Sequence, residues 1–165
     1  MEDYRNPEDG GYWAGNQCAA SGVLPISRET GRLCFAWRSP AVHIGNCWGT
    51  IGGALRPGLS PEANAQTELR EETGYDGPIE LYPVYVFFDR GFRYHNFIGL
   101  VDTEFSLSAD RMHLWETVNI QWFLLSQARK LLADVPSSFH FGLVKLFENS
   151  GDLIAHMAGR FNGTP

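Results

Sequence analysis

The chain has 165 residues, of which 44% are hydrophobic and 19% charged, a balance typical of a globular domain rather than a disordered segment. It contains no run of about 18 apolar residues, and its first 15 residues lack the basic start and apolar core of a signal peptide, so we expect neither a membrane span nor an export signal. The formal net charge of -6 argues against binding along a nucleic-acid backbone. The negative net charge does not exclude a small anionic substrate, because a bound divalent cation can make the local electrostatic potential positive.

The cysteine pattern indicates a reducing compartment. Cys18, Cys34 and Cys47 are widely spaced, odd in number and without a CxxC pair. This pattern argues against both a disulfide framework and a zinc site. We therefore expect reduced thiols and a cytoplasmic location.

The first predicted elements are short strands. After a loose or edge segment over residues 1–15, the apolar run over 19–26 predicts a strand. A turn at Gly31, which can adopt a positive φ, leads to an alternating run over 32–38. These two runs predict a hairpin, and a further short strand is expected over 45–51.

The central element is a predicted helix that follows a glycine pair. Gly52-Gly53 end the short strand, and a loop then leads to Ser60 and Pro61. Ser60 can accept hydrogen bonds from the free amides of the first turn, and Pro61 suits the first helical position. The helix is expected to run to about residue 73 and to end at Gly74, a typical terminator.

The second half predicts a long hairpin, a strand and two helices. Residues 79–89 and 92–101 are rich in β-branched and aromatic side chains, which favours two paired strands. The remaining predictions are a strand over 118–124 and helices over 126–135 and 139–148, with 151–159 as a candidate extension. This order predicts an α/β fold in which helices pack on a mixed sheet, formed by a single domain over 1–165.

Three glutamates of the central helix share one face. At about 100° per residue, Glu68, Glu71 and Glu72 occupy an arc of roughly 100°, so their charges repel each other. Nothing nearby on this face is a matching cation, unless Arg70 or a lysine from elsewhere turns in. Mg²⁺ prefers carboxylate oxygens and would relieve the repulsion. The alternative is an ordinary solvated helix face.

The segment from Gly53 to Tyr75 resembles the Nudix box, G-x5-E-x7-R-E-U-x-E-E-x-G-U with U apolar, and it aligns without a gap. Two positions depart from the pattern, because Leu59 replaces the first glutamate and Thr67 replaces the arginine. In the family both charges support the catalytic glutamates. Losing them together leaves no unpaired buried charge, so the pair of changes is either compensated or marks a domain that binds without catalysis.

The resemblance implies a Nudix-type α/β/α sandwich and a Mg²⁺-dependent hydrolase, with Mn²⁺ as an alternative ion. It would cleave a diphosphate bond in a nucleoside diphosphate-linked small molecule or a nucleoside triphosphate, by attack of water. Glu71 and Glu72 would be metal ligands, Glu68 a ligand or proton acceptor, and the Gly53 carbonyl a further ligand. Glu116 would complete the site, or is an exposed loop residue.

The turn of the long hairpin offers candidate substrate contacts. Arg90, Arg93 and His95 carry groups that bind phosphate, and neighbouring aromatic rings could stack on a base. Because side chains alternate along a strand, Arg93 and His95 share one face. The alternative is a surface turn beside aromatic residues of the sheet core. We expect a nucleotide-like small-molecule substrate rather than nucleic acid, and a homodimer stays open. The alternative function is a catalytically weak or inactive Nudix domain that binds a nucleotide or a protein partner.

Overall fold

The computed structural model describes residues 4–5, 12–13, 18–42, 44–89 and 91–161. The strands are β1 (Tyr4–Arg5), β2 (Tyr12–Trp13), β3 (Cys18–Ser27), β4 (Leu33–Arg38), β5 (Trp48–Gly49), β6 (Ile51–Ala54), β7 (Ile79–Asp89), β8 (Phe92–Val101) and β9 (Thr117–Phe123). The α-helices are α1 (Pro61–Thr73), α2 (Leu125–Asp134) and α3 (Phe141–Gly159), and a 3₁₀ turn spans Pro136–Ser138.

Strands β3 to β9 form one mixed sheet. Its main order is β5-β4-β3-β8-β7, while β6 also pairs with β3 and β9 with β4. Strands β3 and β8 run parallel over ten residue pairs, and the other pairings are antiparallel. The two hairpins that the sequence predicts are present as β3–β4 and β7–β8.

Each face of the sheet carries its own hydrophobic core. On one face, strand residues such as Leu24 and Ile98 pack with residues of α2 and α3. On the opposite face, Val23 and Ile51 pack with Leu69 of α1. Neighbouring residues of a strand point to opposite sides, so one apolar run supplies both cores. The predicted α/β/α sandwich is confirmed.

Helix α1 begins and ends as the sequence predicts. The Ser60 hydroxyl accepts a hydrogen bond of 3.1 Å from the amide of Ala63, and Pro61 is the first helical residue. Gly74 ends the helix in the left-handed conformation, with φ 80°, and its amide donates to the carbonyl of Arg70.

Two predicted elements differ from the structure in their limits. The expected strand over 45–51 is two strands, because β5 pairs with β4 whereas β6 pairs with β3. Strand β6 also takes in the glycine pair that was expected to follow the strand. The last helix continues through its candidate extension to Gly159, with a kink at Ser150, where φ is -131°. A Ser-Gly pair at this point accounts for the kink.

Two further observations concern the cysteines and the helices. Cys34 and Cys47 are buried free thiols. Among the described residues, no helix is both long and apolar enough to cross a membrane. The cytoplasmic location and the single domain over 1–165 stay predictions.

Candidate active site

Asn64 joins helix α1 to the glycine strand. Its fully buried side chain donates hydrogen bonds to the Ser21 hydroxyl, at 3.0 Å, and to the Gly53 carbonyl, at 3.4 Å. The same side chain accepts a bond of 3.1 Å from the backbone amide of Arg56. One polar residue of α1 therefore fixes β3, β6 and the start of the following loop. A Cβ atom at Gly53 would lie 2.9 Å from the Glu68 carboxyl carbon, so a glycine is needed for this approach.

Two further carboxylates lie near Glu68, and we call Glu68, Glu71 and Glu116 the acidic cluster. Arg56 contacts both Glu68 and Glu71, and His113 lies between Glu71 and Glu116. The exposed fractions of the three glutamates are 1%, 7% and 5%. Charged side chains are seldom buried this deeply unless they are paired or bind a metal. The face is therefore not a solvated one, and Glu116 is not an exposed loop residue.

Arg56 is the cation that contacts the acidic cluster. Its guanidinium donates to Glu68 Oε1 at 3.0 Å and to Glu71 Oε1 at 3.0 Å, and it also donates to Glu71 Oε2. This hydrogen bonding is the main cause that holds the pKa of Glu71 below its ordinary value. The sequence offered no matching cation on this face unless Arg70 or a lysine turned in, and the cation present is Arg56 from the preceding loop. Arg70 is exposed on α1, whereas the Arg56 backbone is tied to the same helix by its hydrogen bond to Asn64.

His113 brings an imidazole to the same place. Its Nε2 lies 3.6 Å from Glu71 Oε2, and its Nδ1 lies 3.3 Å from Glu116 Oε1. Ligand atoms of Glu68, His113 and Glu116 all lie within 4.8 Å of one another. The His113 amide donates to the carbonyl of Glu71, which anchors this loop to the end of α1.

Glu72 occupies a different environment from the acidic cluster. Its Oε1 accepts a hydrogen bond of 3.1 Å from the Gly52 amide, and its Oε2 accepts one of 2.6 Å from the Thr117 hydroxyl. The carboxylate is 4% exposed. Both oxygens therefore hold α1 against β6 and β9, and a metal ligand role for Glu72 stays a prediction.

The predicted substrate contacts are placed in part. Arg93 is exposed, and His95 pairs with Ser21 across the parallel strands. Ser21 also pairs with Gly53 of the antiparallel strand β6, and its hydroxyl contacts Asn64 of α1. Because paired residues share a face of the sheet, His95 lies on the face covered by α1, as does Arg93 two residues earlier. Two strand spacings separate His95 from Gly53, which is about 10 Å. Arg90 lies outside the described residues.

Sequence reasoning missed Arg56 and His113. Arg56 follows Gly53 by three residues and lies in an irregular loop. Such a loop has no sequence periodicity from which the direction of a side chain could be predicted. His113 precedes Glu116 by three residues, and this spacing is a signal that can be found once Glu116 is suspected. Thr67, at the position of the missing arginine, donates its hydroxyl to the Ala63 carbonyl within α1.

The donor set fits a divalent cation. Buried carboxylates from α1 and from the loop before β9 are the ligands that Mg²⁺ prefers. The imidazole of His113 beside them also suits transition-metal ions. Close approach of the Glu68 carboxylate to Gly53 leaves no room for a side chain on that strand.

Comparisons with known proteins agree with this geometry. The sequence model of the NUDIX domain matches residues 17–143, which include the acidic cluster and its supporting strands. No functionally curated protein sequence matches the chain. The chain belongs to the Nudix family of pyrophosphohydrolases.

Solved structures share the fold at low sequence identity. The Nudix hydrolase RenU of M. smegmatis is 19% identical, with a TM-score of 0.71 over 94% of this chain and 95% of its own. DR0079 of Deinococcus radiodurans is 16% identical, with a TM-score of 0.63 over 81% and 82%. A mutT/nudix family protein of Listeria innocua is 20% identical, with a TM-score of 0.63 over 84% and 94%. At these identities the likeness concerns the fold alone.

Proposed function

We propose that this protein is a Mg²⁺-dependent hydrolase that cleaves a diphosphate bond in a nucleotide-like small molecule. The observation that carries the proposal is a group of three neighbouring carboxylates, each less than 10% exposed. Glu68 lies against Gly53, Arg56 joins it to Glu71, and ligand atoms of Glu68, His113 and Glu116 lie within 4.8 Å of one another. Burying three carboxylates together costs free energy unless a cation compensates. A metal site carries this free-energy cost in the absence of the ion, because its carboxylates must be in place before the ion binds.

The acidic cluster would hold the ion, with the Gly53 carbonyl as a further candidate ligand. A bound divalent ion neutralises phosphate oxygens and lowers the pKa of an attacking water. Glu68 is the candidate proton acceptor, because it is buried beside Gly53 and lies within reach of the other candidate ligands. Glu72 stays a proposed metal ligand, and its two hydrogen bonds also hold α1 against β6 and β9.

Mg²⁺ is the ion we favour, with Mn²⁺ as the alternative. Oxygen ligands dominate the cluster, and hard cations of this kind bind carboxylates together with water and substrate phosphates. His113 is the nitrogen donor beside Glu68 and Glu116, and the ligand atoms of these three residues lie within 4.8 Å of one another. If His113 binds the ion, the affinity of the site for Mn²⁺ would increase relative to that for Mg²⁺, because imidazole is a better ligand for transition metals.

The surroundings of the cluster favour a substrate with an aromatic part. Trp115, which is 41% exposed, has its ring centroid 6.4 Å from that of His113. An exposed indole next to a polar site is suited to stacking on a base. Arg93 and His95, on the same face of the sheet, would contact phosphate or ribose. A homodimer and the absence of nucleic-acid binding remain proposals without a structural argument of their own.

A binding domain without catalysis is the second candidate. It is favoured by Leu59 and Thr67, which replace two charged residues of the family pattern, and by Arg56, whose guanidinium contacts two of the candidate ligands. Such a domain would bind a nucleotide or a protein partner and would release no product.

Product release from a panel of nucleoside diphosphate compounds and nucleoside triphosphates, with Mg²⁺ and then Mn²⁺, tests the proposal. The variant is Glu68→Gln, and the matched control is Glu62→Gln, which removes a carboxylate from the exposed first turn of the same helix. Turnover in the wild type and the control, lost by at least about a hundredfold in Glu68→Gln, is expected. Saturable metal binding without turnover on any compound would favour the binding domain instead.

A further inference from the structure

The guanidinium of Arg56 uses oxygens that a metal ion would need. It donates to both oxygens of Glu71 and to Oε1 of Glu68. An ion that took these oxygens would approach to about 2.1 Å. A guanidinium hydrogen-bonded to the same atoms and a divalent ion therefore exclude each other, both by space and by charge repulsion.

We propose that Arg56 is a built-in counter-cation of the metal site, which neutralises Glu68 and Glu71 in the metal-free protein and is displaced when a divalent ion binds. This inference rests on the proposed metal site. It assigns to Arg56 a positioning role, because the residue would hold the carboxylates in place before the ion arrives.

The local structure lets the side chain leave while its backbone stays. The Arg56 amide is held by Asn64 Oδ1 at 3.1 Å, and the Arg56 carbonyl accepts a bond of 3.1 Å from the Leu59 amide. The Arg56 side chain is 30% exposed, whereas those of Glu68 and Glu71 are 2% and 8% exposed. The mobile partner of these ion pairs is therefore the arginine, which can turn toward solvent without moving the acidic cluster.

Charge favours the exchange. Arg56 brings one positive charge to the oxygens of Glu68 and Glu71, whereas a divalent ion at the same oxygens would bring two. The ion is therefore the stronger partner for these buried carboxylates. Once displaced toward solvent, the guanidinium would be available to donate to a substrate phosphate, which its planar donors match.

The sequence of this chain explains why such a cation is needed. Thr67 stands where the family pattern has an arginine, and the Thr67 hydroxyl is engaged within its own helix. Without a positive charge at that position, the carboxylates of α1 need a cation from another element. Arg56, from the loop before α1, provides it.

A rival arrangement keeps Arg56 in place. The ion would then bind Glu68, His113 and Glu116, whose ligand atoms lie within 4.8 Å of one another, while Arg56 stays on Glu71. The two arrangements predict different effects of removing Arg56, because only the first makes the guanidinium a competitor of the ion for the same oxygens.

The test is calorimetric titration of Mn²⁺ into the metal-free wild type, Arg56→Gln, Arg56→Lys and Arg70→Gln. Arg70→Gln is the matched control, since it removes an exposed positive charge near Glu71 that makes no contact with the cluster in the described structure. Thermal unfolding with and without Mn²⁺ provides a second readout that is independent of activity.

We expect Arg56→Gln to bind Mn²⁺ at least fivefold more tightly than the wild type, and Arg70→Gln to stay within twofold. Arg56→Lys should fall between them, because an ammonium cannot pair with both carboxylates through a planar fork. Metal-free Arg56→Gln should melt at a lower temperature than the wild type, and Mn²⁺ should raise its melting temperature more. If Arg56→Gln fails to fold without metal, Arg56→Lys carries the comparison.

Two results would overturn the inference in different ways. Mn²⁺ binding that is unchanged or weaker in both Arg56 variants would favour the rival arrangement and leave the proposed metal site intact. No saturable Mn²⁺ binding by any of the four proteins would remove the metal site itself, and the proposed function with it.

Discussion

The hydroxyl of Thr117 donates a hydrogen bond of 2.6 Å to Oε2 of Glu72, across 45 residues of sequence. Since Oε1 of the same carboxylate accepts from the Gly52 amide, Glu72 links α1 to β6 and to β9 at once. Because Glu68 and Glu71 lie on the same helix as Glu72, their placement depends on this buried contact.

Thr117→Val should destabilise the protein by about 1–3 kcal/mol, because the isosteric valine removes a donor from a buried carboxylate. Thr117→Ser keeps the hydroxyl and serves as the control. Urea unfolding in the presence of a chelator measures both variants without any contribution from metal. Equal stabilities of the valine and serine variants would mean that the Thr117 hydroxyl does not hold Glu72.

Gly74→Ala and Gly58→Ala separate backbone strain from steric overlap. Gly58 has φ 83°, and a Cβ atom there would meet no described atom within 4 Å, so alanine should cost roughly 1–2 kcal/mol. Gly74 has φ 80°, but its Cβ atom would lie 2.3 Å from Ser108 Cβ, which should add about 1–3 kcal/mol. Thermal or urea unfolding gives both values.

A double variant tests the steric part of this prediction. Ser108→Gly removes the Cβ atom that an alanine at Gly74 would meet. The cost of Gly74→Ala should therefore be smaller in the Ser108→Gly background than in the wild type. Equal costs in the two backgrounds would show that overlap with Ser108 is not the cause.

Stability should decrease as the pH falls through the titration of His95. Burial, and to a lesser extent the nearby Arg93, lowers the pKa of His95 from its ordinary value of 6.5. The unfolded chain then binds the proton more readily than the folded protein. This contribution is fully present above about pH 7 and is lost between the unfolded pKa of about 6.5 and the lower folded pKa.

The measurement is the free energy of unfolding against pH, in chelator, for the wild type, His95→Gln and Arg93→Gln. The wild type should lose stability relative to His95→Gln as the pH falls below about 6.5. Arg93→Gln should lose less than the wild type, because removing the guanidinium raises the folded pKa. Parallel curves for the wild type and His95→Gln would contradict the prediction.

Trp115→Ala should raise KM for the best nucleotide substrate about tenfold, a loss of about 1.4 kcal/mol, with little change in kcat. Stacking binds the substrate in the ground state and the transition state alike, so it contributes to KM rather than to kcat. Trp115→Phe should keep most of the affinity. Leu153→Ala, an exposed apolar residue of α3, is the control. A decrease in kcat at constant KM would mean that the indole does not bind substrate.

Most of the fold could be predicted because its signals are local. Strand alternation, the serine that caps α1 and the glycine that ends it each depend on a few neighbouring residues. The shared face of Glu68, Glu71 and Glu72 depends on helical spacing alone. The division of the 45–51 segment into two strands was missed, since it depends on which distant strand each piece pairs with.

From the amino-acid sequence we could infer the family, the mixed sheet with its central helix, and the face of α1 that carries the glutamates. The packed structure was needed to find that Arg56 and His113 join this face and that Gly52 and Thr117 engage Glu72. The two sets of features differ in the range of their interactions. Helix and strand patterns follow from the backbone geometry of adjacent residues, whereas ion pairs across loops depend on how separate elements pack.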